Sequence, residues 1–247
     1  MELQIFIAGG IIATASLIGV VTTHAFFDKF FTANARYLVS FATGVFIVLT
    51  YSLLQEVFIG NSVIQPLFSL VVGFLFFAGL TSFLAKAHHH HGKTHGHGHS
   101  HIDARRMLLG DSLHNIGDGI LLVPIFIAGT GLGVIAVIGI FLHEMVQEIA
   151  EFFILKEAGF STVKALMLNF ITALTIFIGI SIGLFISNTE GITTLLLAFT
   201  AGGFLHVILR DFIPSIIKSI QRECKTLPHI LFLASGLFLM ILITFIT

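Results

Sequence analysis

Asp111-Ser112-Leu113-His114-Asn115-Ile116-Gly117-Asp118-Gly119 and, after an apolar interval, His143-Glu144-Met145-Val146-Gln147-Glu148-Ile149-Ala150-Glu151 are the stretches that decide how this chain folds. Each lies inside an apolar run, 107–128 and 134–155, long enough for a helix to cross roughly 30 Å of hydrocarbon. An ionisable side chain at the centre of such a helix costs roughly 2.5–3.5 kcal/mol, so these groups are functional candidates by default.

Working outward, further apolar runs fall at 3–25, 37–59, 64–86, 163–186, 192–217 and 229–245. Gly60-Asn61, Pro66, Gly129-Thr130-Gly131, Ser187-Asn188 and Pro228 punctuate the sequence between them. The composition agrees, at 56% hydrophobic and 10% charged, with a mean hydropathy of +1.03. A soluble domain of this size has too little polar surface in that composition to cover itself. The predicted fold is therefore all-α: a polytopic membrane protein with eight transmembrane helices, forming a single domain over 1–247.

The basic residues test the count. Lys29 and Arg36 fall in the first connection, and Lys86, Lys93, Arg105 and Arg106 around the third. Lys156 and Lys164 flank the fifth connection, while Arg210, Lys218, Arg222 and Lys225 cluster toward the seventh. Eight spans place all twelve on one side, which the positive-inside rule makes cytoplasmic, with both termini outside. An error of one span would scramble that pattern. The single cysteine, Cys224, excludes an intramolecular disulfide framework, and no basic cluster points to nucleic acid.

The long cytoplasmic connection, 87–104, is a histidine tract. It carries His88, His89, His90, His91, His95, His97, His99 and His101 among glycines. Neutral imidazoles bind first-row metal ions, so the tract is read as a loop for weak metal capture.

Within the fourth span, His114 and Asp118 are four residues apart and share a face, as do Asn115 and Asp118 at three. Within the fifth, His143 with Gln147, and Glu144 with Glu148 and Glu151, make adjoining stripes. With the connecting turn centred at Gly131, an antiparallel hairpin sets Asp118 level with Glu144, and Asn115 with Gln147. The same symmetry pairs His114 with Glu148 and Asp111 with Glu151. So many carboxylates, with no Lys or Arg at their depth, call for a divalent cation, with His114 and His143 adding nitrogen. Mixed imidazole and carboxylate ligation suits Zn²⁺, Fe²⁺, Mn²⁺ or Cd²⁺; the absence of Cys from these stretches and the sparse Met argue against Cu(I), and the imidazoles against Mg²⁺ and Ca²⁺. Asp111 and Glu151, His24 at the inner end of the first span and Glu56 at the outer end of the second are further candidates along a pathway.

His114-Asn115-Ile116-Gly117-Asp118-Gly119 resembles the HNxxDG motif of the ZIP (Zrt/Irt-like) metal transporters, and His143 to Glu148 resembles their HExPHE, with Glu151 at the acidic position that follows. Asn169-Phe170-Ile171-Thr172-Ala173-Leu174-Thr175 is similar to NFLSALT, and Ala201 to Asp211 to AGxFLYVxLxD. These four motifs in order, with a histidine-rich third loop, resemble the LIV-1-like branch most. The resemblance implies one or two adjacent metal sites on His114, Asn115, Asp118, His143, Glu144 and Glu148. It also implies a bundle of spans 1, 4, 5 and 6 moving against the other four, often in a homodimer, and transport toward the cytoplasm. Two positions depart from the pattern: Val146 replaces the proline of HExPHE, and Gln147 replaces its second histidine.

The expectation is thus a multi-pass carrier in the plasma (cytoplasmic) membrane, its substrate a divalent transition metal, Zn²⁺ first, and its surroundings the lipid bilayer. It is not expected to be an enzyme. An intramembrane zinc hydrolase would need HExxH, and Gln147 stands where the second histidine belongs. A zinc-exporting cation diffusion facilitator would carry HxxxD and DxxxD pairs and a soluble C-terminal domain, for which Thr247 leaves no room.

Overall fold

The computed structural model describes residues 1–19, 25–59, 63–87, 104–187 and 192–246, and among them every regular element is helical. In chain order these are α1 (Glu2–Ala13), continued by a 3₁₀ turn over Thr14–Ile18; α2 (Ala25–Phe58); α3 (Ile64–Ala87); α4 (Ala104–Ala128); and α5 (Thr130–Glu157). Then follow α6 (Thr162–Ala173), α7 (Ile176–Ser187), α8 (Ile192–Val207), a π-helical turn over Ile208–Phe212, α9 (Ile213–Glu223) and α10 (Thr226–Ile246). His24 and the histidine tract 88–101 lie outside the described residues.

Helices are the natural choice for such a sequence, because lipid offers no partner to a backbone N–H or C=O. Among the described residues, five helical stretches are long and apolar enough to cross a membrane: Arg36–Phe58, Thr130–Lys156, Thr162–Ser187, Ile192–Glu223 and Thr226–Ile243. Glu2–Ile18 and Ile64–Gly79 are shorter apolar helices. α4 is not among the five, since Asp111, His114, Asn115 and Asp118 interrupt its apolar character. The chain is a polytopic, all-α membrane protein.

The boundaries differ from expectation in instructive ways. α2 begins at Ala25, so Lys29 and Arg36 stand on a helix and not in a connection. Charge does not end a helix whose end extends beyond hydrocarbon. The sixth run is broken at Leu174-Thr175, where the Thr175 hydroxyl is shared between the carbonyls of Thr172 (2.6 Å) and Ser112 (2.8 Å). That bond ties the break to α4. The seventh run contains the π turn and continues to Glu223, where Cys224 closes α9 in the left-handed conformation (φ 55°). Gly159, at φ 89°, closes α5.

Among the described residues, three helix pairs approach backbone to backbone. A Cβ added at Gly119 of α4 would strike the Ile176 carbonyl, and one at Gly179 of α7 the Ile116 carbonyl. Gly44 of α2 and Gly236 of α10 are related in the same reciprocal way, through Leu233 and Phe41, and Gly73 of α3 and Gly202 of α8 through Phe199 and Leu70. In lipid, where apolar burial drives little association, such small residues let van der Waals packing hold helices together. The core then fills the space between the pairs, with Phe46, Leu49 and Leu53 of α2, Leu122 and Ile125 of α4, Ile135 and Ile140 of α5 and Phe204 of α8 all buried. α4 and α5 run through its middle and carry the polar residues.

Candidate metal centre

The polar groups of α4 and α5 face one another inside the bundle. His114 Nε2 lies 3.2 Å from His143 Nε2 and 3.2 Å from Glu144 Oε1. Asp118, one turn along α4, is 3.9 Å from the same His114 nitrogen. Ligand atoms four-coordinated to Zn²⁺ at 2.0–2.1 Å sit about 3.3 Å apart, so the two contacts of His114 already have the length of tetrahedral edges, and all three ligand atoms lie within 4.8 Å of one another. A second group, Asp111, Glu144 and Glu148, also offers three ligand atoms within 4.8 Å of one another. Glu144 belongs to both.

The packing supports each group in turn. Asn115 Nδ2 donates to Asp111 Oδ1 (3.0 Å), and Gln147 Nε2 donates to Asp111 Oδ1 (3.1 Å) and to Glu151 Oε1 (3.3 Å). From α6, Asn169 Nδ2 donates to the Glu148 carbonyl (3.2 Å). Asp111, Asn115, Asp118, Glu144, Glu148, Glu151 and Asn169 are all buried. Among the described residues, buried side-chain atoms without a hydrogen bond number twelve, and nine are oxygens of these seven residues. Both oxygens of Glu144 and both of Glu148 are among them. Buried polar atoms ordinarily find partners, and the amide donors here are spent elsewhere. What remains is a set of inward oxygens beside two imidazoles, with fewer N–H groups than oxygens to match them, which is the chemistry of a cation site.

Two cavities meet at this centre. One, of about 10 Å³, is lined by His114, Asp118 and His143 on one side and by Phe46, Phe77 and Phe204 on the other. It holds about one water-sized body. The second is an open cleft of about 200 Å³ between α2, α5 and the π turn, lined by His143, Val146, Gln147, Ala150, Asp211 and Phe212 among others. His143 lines both.

The structure thus brings together His114, Asn115, Asp118, His143, Glu144, Gln147, Glu148, Asp111 and Glu151. Glu56 stands apart, exposed on α2. The level pairs expected across the hairpin shift by one helical turn: His114 meets Glu144 and His143 instead of Glu148, and Asp111 meets Gln147 and Glu148 as well as Glu151's neighbourhood. The cause is the turn. Only Gly129 separates the helices, and Gly131 and Gly133 already belong to α5. A Cβ at Gly133 would lie 2.5 Å from the Phe126 ring, so that glycine makes room for packing and forms no part of a loop.

Asn169 is the site residue that sequence reasoning quoted without giving it a part. Its signal was an amide inside an apolar helix, which is costly unless satisfied. Thr172, against Asp111, belongs to the same supporting wall. His206, at an aromatic position of the motif, packs edge-on against Phe74 (ring centroids 5.3 Å). His229 bridges Ser40 (2.7 Å) and Ser219 (3.0 Å), tying α10 to α2 and α9.

A family model described as ZIP Zinc transporter matches residues 102–244, more than half of the chain, and spans this centre. The chain belongs to the ZIP family. It falls on the LIV-1-like branch. It is 34% identical over 141 residues to zinc transporter zipt-7.2 of Caenorhabditis elegans, covering 55% of this chain and 30% of that protein. Against human zinc transporter ZIP4 it is 36% identical over 110 residues, 44% of this chain and 17% of the relative. Human zinc transporter ZIP6 is 31% identical over 114 residues, 46% and 15%. The matched segments therefore span less than a third of these relatives' own lengths.

Proposed function

We propose that this ZIP-family chain carries a divalent first-row cation, Zn²⁺ before Fe²⁺, Mn²⁺ or Cd²⁺, across a bilayer through the centre between α4 and α5. The observation that carries the proposal is the set of nine buried oxygens without donors, placed beside two facing imidazoles. The ion is the substrate. His114, His143 and Glu144 receive it, with Asp118 beside them, and Asp111, Glu144 and Glu148 form the adjoining station. Because Glu144 is common to both, an ion can pass from one to the other without leaving its ligand. The relatives named above are called zinc transporters, which favours Zn²⁺ over its neighbours.

The cation travels toward the cytoplasm. Supporting this direction, the open cleft at His143 is lined by Val39, Ala150 and Ser215, on the stretches of chain that lead to Arg36, Lys156 and Lys218, while Phe46, Phe77 and Phe204 line the small cavity at the centre. Eight spans with both termini outside keep all twelve basic residues on that inner face. The plasma (cytoplasmic) membrane is the proposed location, and a homodimer the proposed assembly, both from the family resemblance.

The test is uptake of labelled Zn²⁺, Fe²⁺ and Mn²⁺ into proteoliposomes. Wild type takes up Zn²⁺ against empty vesicles, and Asp118→Ala, which opens the first station on the cavity side, reduces uptake at least tenfold while inserting normally. Undiminished uptake in that variant refutes the site. The histidine tract calls for a separate experiment. Deleting 88–101 is expected to raise the concentration for half-maximal uptake with the maximal rate kept within about twofold, because weak capture feeds the centre and forms no part of it. A deletion with no transport at saturating metal contradicts that role.

A further inference from the structure

Gln147 occupies the place where the family motif has a second histidine, and the structure gives it a different task from ligation. Its one amide nitrogen reaches Asp111 on α4 and Glu151 on its own helix, at 3.1 and 3.3 Å. Each acid accepts through a single oxygen. Asp111 Oδ1 also takes the Asn115 amide, so that oxygen is fully engaged. The other oxygens, Asp111 Oδ2 and Glu151 Oε2, are buried and have no donor. Gln147 is itself only half-buried and lines the open cleft, so it stands between that cleft and the acids.

We propose that Gln147 is a positioning residue, whose amide clamps one oxygen of Asp111 and one of Glu151 so that the second oxygen of each is presented to the cation. This rests on the centre being a cation site. The clamp has a chemical consequence. A histidine at 147 would bring nitrogen to the Asp111–Glu144–Glu148 station; with glutamine that station is ligated by oxygen alone. The two stations then differ in hardness. Imidazole nitrogen favours Zn²⁺ over Mn²⁺, whereas an oxygen set discriminates between them poorly. Hydrogen bonds that orient a ligating carboxylate are worth tenfold to a hundredfold in metal affinity, so the clamp is measurable.

The experiment uses the purified full chain and reads equilibrium binding of Zn²⁺ and of Mn²⁺, each alone and in competition. Gln147→Met keeps the length and apolar bulk and removes the donor; Mn²⁺ affinity is expected to fall at least tenfold, with Zn²⁺ binding at the imidazole station retained. Gln147→His restores an N–H donor and adds a ligand; Mn²⁺ binding recovers and the Zn²⁺ preference over Mn²⁺ rises at least tenfold above wild type. A residue that merely filled space would be satisfied by methionine and would not change metal preference on replacement by histidine. Mn²⁺ affinity unchanged in Gln147→Met, or an unchanged preference in Gln147→His, overturns the proposal. If wild type binds neither ion, the cation site itself fails, and that result is distinct from failure of the clamp.

Discussion

Glu144→Gln is expected to abolish Zn²⁺ binding and uptake, by more than about 100-fold, since even groups that only orient a ligand cost tenfold to a hundredfold when removed. The substitution exchanges an oxygen for an amide nitrogen and leaves volume nearly unchanged, so packing does not account for the loss. Its size follows from position. Glu144 is 1% exposed, contributes to both groups of ligand atoms, and has His114 Nε2 at 3.2 Å. Removing His143 would spare the Asp111–Glu144–Glu148 station, and removing Asp111 would spare the imidazole one; removing the Glu144 charge spares neither. Its amide would also turn an N–H, positive at its hydrogen, toward the place the cation would occupy. Binding by equilibrium dialysis and uptake in proteoliposomes check this, with Glu2→Gln, at the exposed start of α1, as a control that keeps both. Zinc binding retained in Glu144→Gln would mean that the two groups do not share a ligand.

Much of this centre could be read from residue type alone. His114, Asp118, His143, Glu144 and Glu148 stand out because lipid-length helices tolerate ionisable groups only for a purpose, and the antiparallel hairpin follows from the short interval between the runs. The register could not be read as reliably. Three glycines between 129 and 133 look like a loop, yet two of them are helical, and Gly133 is small because the Phe126 ring lies over it. With the turn reduced to Gly129, the partners of His114 and Asp111 move by a turn. The π turn at Ile208–Phe212 has no local signature, since its extra residue is accommodated by neighbours and not dictated by Arg210 or Asp211. Nor could sequence show that the amide nitrogens of Gln147 and Asn169 are spent on protein partners. Residue type announces that a polar group is present; only packing decides which of its atoms faces the site.

The same packing makes Gly179→Leu the substitution with the largest expected effect on the fold. Gly179 and Gly119 lie across the α4–α7 crossing, where each would drive a side chain into the other helix's backbone. Overpacking a core that can shift costs typically 1–3 kcal/mol, but here the obstacle is a carbonyl in a hydrogen-bonded helix, which has no rotamer to change. Alanine at 179 is expected to cost at least the top of that range and leucine to separate the helices. Separation acts on the centre through a short path. Thr175, four residues before Gly179, holds the Ser112 carbonyl of α4, and Asn169 of α6 supports Glu148. Gly179→Leu should therefore lower the thermal midpoint of detergent-solubilised protein sharply and lose Zn²⁺ binding with it, although residue 179 touches no ligand. Gly79, whose added Cβ would meet nothing, gives the comparison: leucine there leaves both the midpoint and binding unchanged. If Gly179→Leu keeps its midpoint and loses only binding, the crossing transmits geometry without carrying stability; if it keeps both, the close approach of α4 and α7 is not what holds the two polar helices in register.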